Sequence, residues 1–119
     1  MISKNDMYKV GTIVLVPFPF TDLSGDKVRP ALILSNNKTG DDVTVCFLSS
    51  VIPKKILSAE IFVNEKSSDF KTTGLKSSSV IKVTKLATLD KKVILGEIGI
   101  LSIKIMREVK GIIKKHFDL

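Results

Sequence analysis

A chain of 119 residues has room for one domain, read as 1–119, and with 44% hydrophobic residues and a mean hydropathy of +0.25 it can bury a core. Its apolar runs at 12–20 and 93–105 are broken by Pro17, Pro19, Glu97 and Lys104, short of the ~20 residues of a membrane span, and 1–9 lacks the apolar core of a secretory leader. Nineteen Lys and Arg against twelve Asp and Glu leave +7, a field suited to polyanions: nucleic acid, an acidic protein segment or anionic lipid.

In chain order, residues 10–16 (VGTIVLV) are rich in β-branched side chains and predict a strand. Pro17 and Pro19 are expected to stop its ladder, since neither carries an N–H to donate. Residues 21–28 (TDLSGDKV) are small and polar and read as a loop. Residues 30–35 (PALILS) and 43–49 (VTVCFLS) predict two strands joined as a hairpin through the Asn-Asn and Gly-Asp turn signals of 36–42. Residues 59–63 (AEIFV) predict a fourth strand, followed by a Ser/Thr-rich connection over 66–79 around Gly74. Alternation in 80–83 (VIKV) predicts another strand, with Lys82 on the face opposite Ile81 and Val83. Short apolar pieces at 87–89 and 93–95 flank the turn-like Asp90-Lys91-Lys92.

From Ser102 onward the period changes. Ile105, Met106, Val109, Ile112 and Ile113 follow helical spacing, with Ser102 as N-cap and Lys or Arg elsewhere on the wheel. Gly111 costs about 1 kcal/mol against Ala and is expected to mark close packing on a sheet. Short strands with frequent turns and one closing helix predict a mainly β fold, a small twisted barrel with a C-terminal helix.

Chemistry concentrates at one place. Seventeen of the cationic residues are Lys and only Arg29 and Arg107 are Arg. Pro30 holds Arg29 in extended geometry at the edge of an apolar strand. A guanidinium there can clamp a phosphate bidentately and stay charged at any pH. Phe18 and Phe20 border the adjoining loop, where an exposed ring can stack a base. Cys46 is the single cysteine and lies in an apolar run, which excludes an intrachain disulfide, predicts an inert thiol and fits a reducing, cytoplasmic setting. One histidine, His116, late in the helix, excludes paired-histidine catalysis and offers no zinc cluster, so no metal and no cofactor are expected.

The stretch from Gly11 through Pro17-Phe18-Pro19-Phe20-Thr21-Asp22 to Arg29-Pro30-Ala31-Leu32-Ile33-Leu34-Ser35 resembles the MazF/PemK family, toxins of bacterial toxin–antitoxin pairs. The likeness continues through Cys46-Phe47-Leu48-Ser49-Ser50, Thr73-Gly74-Leu75-Lys76 and Ala87-Thr88-Leu89-Asp90. It implies an SH3-like barrel of the CcdB/PemK type, a homodimer, and metal-independent cleavage of single-stranded mRNA. Carried over by residue, Arg29 matches the family's R-P arginine and Ser49 its Thr or Ser ending the third strand. These are the expected catalytic residues. Thr21, Asp22, Ser24, Lys27, Ser50 and Lys82 are the expected RNA contacts. The implied partner is an antitoxin whose acidic, disordered tail mimics the RNA backbone.

Two departures from the family pattern matter. Ser24 and Thr84 stand where many members carry an acid, so the base for the 2′-OH has no assignment beyond Asp22 and Asp26, which also read as turn residues. Two alternatives follow: a PemK-like module that binds nucleic acid without cutting it, and a gyrase-inhibiting toxin on the same fold.

Overall fold

Alternating and continuous runs of Val, Ile and Leu sort into six strands because nearly all their side chains find cover on one face or the other. The computed structural model describes residues 8–18, 27–36 and 40–119, with the side chain of Phe18 left aside. The loop expected at 21–28 and the tip of the hairpin at 37–39 therefore lie largely outside the described residues. The strands are β1 (Thr12–Phe18), β2 (Lys27–Asn36), β3 (Asp42–Ser49), β4 (Glu60–Val63), β5 (Ser79–Asp90) and β6 (Gly96–Ile100), followed by α1 (Ile103–His116). They form one antiparallel sheet in the order β4-β5-β3-β2-β1-β6. The sheet curls into a half-barrel with α1 at its end, the predicted fold class.

Both faces of the sheet carry core, so its central strands read as unbroken apolar runs. Ile13, Leu32, Cys46, Leu48, Ile81 and Val83 face α1, which contributes Ile105, Met106 and Val109. On the other face Val14, Val16, Ala31, Ile33, Val45 and Phe47 pack with Tyr8 and Leu89. Ser102 caps α1 as expected, its Oγ accepting from the Ile105 N–H at 3.2 Å. Among the described residues no helix is long and apolar enough to cross a membrane.

Two expectations need correction. β1 does not end before Pro17: Pro17 pairs with Val28 and Phe18 with Lys27. The Leu15 carbonyl accepts from the Leu95 N–H at 2.8 Å, so two-residue alternation turns Pro17 the same way, beyond the point where β6 stops pairing. A missing N–H costs nothing there. The apolar piece at 93–95 forms no strand of its own: the Asp90 side chain accepts from the Lys92 N–H, Lys91–Val93 wind into a 3-10 turn, and β6 follows at Gly96–Ile100. Gly111 is exposed, and a Cβ there would meet nothing within 4 Å, so it does not mark close packing.

Two other glycines do. Gly74 closes a 3-10 turn (Lys71–Thr73) in the left-handed region, at φ 70°. A Cβ on Gly74 would fall 2.0 Å from the Ile98 carbonyl oxygen, and one on Gly99 2.3 Å from that of Thr72. Backbone therefore lies directly on backbone along β6. This seam fixes the wall formed by the residues that follow Gly74.

Candidate active site

Strand register assembles the site. β2 and β3 pair Ala31 with Phe47, and the same antiparallel register continued by two residues sets Arg29 opposite Ser49. Side chains two apart share a face, so Arg29, Ala31, Phe47 and Ser49 all lie on the face away from α1. β5 brings Lys82 opposite Phe47, on that same face, while Ile81 and Val83 are buried towards the helix. The alternation expected for Lys82 is what the strand shows.

Arg29, Ser49 and Lys82 line one groove of about 170 Å³ with Phe47, Leu48, Val51 and Lys85. No carboxylate is among these lining residues. Arg29 and Lys82 are half-buried, and both line the groove. The Ser49 hydroxyl accepts from the Val51 N–H at 3.1 Å, which fixes its rotamer and leaves its own proton for another acceptor.

Arg29 and Leu48 also border a larger groove of about 430 Å³. Its floor is apolar (Leu15, Pro30, Leu48, Ile98) and its rim polar (Ser50, Lys76, Ser77), with Leu75 and Gly74 in the wall. A cationic pocket and an apolar slot thus share Arg29, an arrangement that can hold a phosphate on one side and a flat apolar ring on the other.

Of the expected site residues, the sheet gathers Arg29, Ser49, Ser50 and Lys82. Lys27 begins β2, exposed and lining neither groove. Thr21, Asp22, Ser24 and the stacking candidate Phe20 lie outside the described residues, as does Asp26. Sequence reasoning missed Lys85, Lys76 and Ser77. Lys76 and Ser77 sit in a polar connection without periodicity, and only the glycine seam brings them across from Arg29. Cys46 is fully buried, and desolvation pushes its thiol up to about 12, far from any reactive thiolate. His116 is exposed beside Phe117 at the end of α1, with ring centroids 4.9 Å apart.

Solved structures with this fold include the Mycobacterium tuberculosis toxin MazF-mt6, 23% identical with a TM-score of 0.67, covering 91% of this chain and 97% of that one. MazF from Deinococcus radiodurans is 19% identical with a TM-score of 0.71, over 95% and 98% of the two chains. An endoribonuclease in complex with its cognate antitoxin, from a mycobacterial species, is 20% identical with a TM-score of 0.68, over 92% and 93%. A comparison with curated proteins gives no match. The family model for the PemK-like, MazF-like toxin of type II toxin–antitoxin systems matches residues 9–117. Spanning nearly the whole chain on a half-barrel shared with solved MazF toxins, that match makes this chain a member of the PemK-like, MazF-like toxin family.

Proposed function

We propose that this chain is an endoribonuclease toxin that cuts single-stranded RNA without a metal, works as a homodimer and is neutralised by a cognate antitoxin. The observation that carries this reading is the meeting of Arg29, Ser49 and Lys82 in one small groove. Metal-free cleavage proceeds by attack of the RNA's own 2′-OH on the adjacent phosphorus. The P–O5′ bond breaks, leaving a 2′,3′-cyclic phosphate and a 5′-OH. Negative charge builds on the non-bridging oxygens, so stabilisation is chiefly electrostatic and positional. Arg29 supplies a planar pair of donors to those oxygens, Ser49 donates its hydroxyl to one of them, and Lys82 holds a neighbouring phosphate. The apolar slot beyond Arg29 takes the base next to the cut.

A protein with this groove also attracts an acidic peptide, which is how a disordered Asp/Glu-rich antitoxin tail blocks it. A second reading, RNA binding without cleavage, rests on one observation: among the described residues neither a carboxylate nor a histidine lines the cationic groove. Incubation of the purified protein with single-stranded RNA in excess EDTA separates the two. Fragments ending in a 2′,3′-cyclic phosphate support the nuclease; retention of intact RNA supports the binding module; no interaction with RNA contradicts both.

A further inference from the structure

β5 runs without interruption over twelve residues, yet its pairing with β3 changes register in the middle. On one side of the irregularity Phe47 pairs with Lys82; on the other, Cys46 pairs with Leu86. Carrying the second register one residue further sets Lys85 opposite Phe47 as well. Both lysines therefore address the same position of β3, although three residues apart in an element whose faces alternate every second residue. A regular strand would place Lys85 on the face with Val83, away from the site.

The bulge is anchored, not frayed. Val83 is fully buried in the core under α1, and its N–H is donated to the Ala59 carbonyl at 3.2 Å, which carries the β4–β5 register one residue further. The extra residues are thus fixed inward at Val83, and Lys85 emerges into the groove of Arg29, Ser49 and Lys82. Re-aiming a side chain beside a site is what bulges commonly do. Arg29, Lys82 and Lys85 thus line the same groove of about 170 Å³.

We propose that Lys85 is a substrate-binding residue which, with Lys82, holds an RNA phosphate adjoining the one that Arg29 and Ser49 engage. The inference rests on the proposed RNA reading and deepens it: the bulge adds a second cation to the place where Lys82 holds the neighbouring phosphate. Lys85 is exposed, so its charge is available and its removal leaves the core intact. Its role is binding, with no share in the bond-breaking step.

The experiment measures affinity for a mixed-sequence 2′-O-methyl RNA oligonucleotide, which lacks the attacking hydroxyl, as a function of salt, and in parallel kcat and KM on the unmodified strand. Lys85→Ala is expected to weaken binding and raise KM by about five- to tenfold, leave kcat unchanged, and reduce the slope of log K against log salt by about 0.7. Lys85→Arg is expected to restore both affinity and slope. Lys92→Ala, which removes the same charge from an exposed turn outside the groove, is expected to change neither. Unaltered affinity and slope in Lys85→Ala, or an equal loss in Lys92→Ala, overturns the proposal. If the wild type binds but does not cut while Lys85→Ala still weakens binding, the binding role of Lys85 stands and the proposed reaction falls.

Discussion

At the scale of single residues, the site divides into a guanidinium, a hydroxyl and ammonium groups, and each makes a different demand on substitution. Arg29 is written into the sequence by its contrast with seventeen lysines and by Pro30 beside it, and the sheet sets it opposite Ser49. Lys85 was invisible, because strand alternation assigns it to the wrong face and nothing in the residues announces a register change in β5. Lys76 and Ser77 were equally hidden, since their place across from Arg29 depends on backbone contact between Gly74 and β6. The inert reading of Cys46 leads to a direct test. With its thiol pushed up to about 12 by burial, no thiolate forms at pH 8, so iodoacetamide is expected to leave the folded protein unmodified by mass and to alkylate it in guanidinium. Labelling of the native protein at pH 8 contradicts the buried placement.

Among elements, the helix was fully legible because a 3.6-residue period with a Ser cap has few alternative meanings. β6 was not. Its run, Gly96-Glu97-Ile98-Gly99-Ile100, carries two glycines that weaken strand propensity, and pairing with β1 decides it. The glycines of this region then separate cleanly by role. Gly99→Ala drives a Cβ into the Thr72 and Thr73 backbone and is expected to cost on the order of 3 kcal/mol or more, whereas Gly96→Ala, with nothing within 4 Å, is expected to fall within about 0.5 kcal/mol of wild type. Gly111→Ala fills open space on an exposed helical position and is expected to add about 1 kcal/mol. Urea unfolding of the three variants gives all these values together; equal costs for Gly99→Ala and Gly96→Ala contradict the seam.

For the whole molecule, a charge of +7 with three cations in one groove predicts that binding of the proposed RNA ligand depends on ionic strength. Contacts to three to five phosphates give an expected slope of about −2 to −4 for log K against log salt on a single strand, measurable by fluorescence anisotropy. A flat response would point to a protein as the natural ligand. The overall fold was readable from strand runs, turn signals and the change of period at Ser102, and from a resemblance that the family match over 9–117 supports. The distribution of core on both faces of the sheet was not. It arises from curling, which buries Tyr8 and Leu89 through contacts between segments far apart in sequence.

The central claim is that Arg29 and Ser49 act on one scissile phosphate. Single-turnover cleavage of one RNA by wild type, Arg29→Lys, Ser49→Ala and the double variant tests it directly. Lysine keeps the charge but loses the planar fork, so RNA binding is expected to survive within a few-fold while cleavage falls by about two orders of magnitude or more. Ser49→Ala removes one neutral hydrogen bond and is expected to cost about ten- to a hundredfold. The double variant is expected to lose less than the product of the two, since on the proposed assignment both groups serve the same phosphate. Cleavage by Arg29→Lys at the wild-type rate would reduce Arg29 to an electrostatic anchor and contradict the assignment.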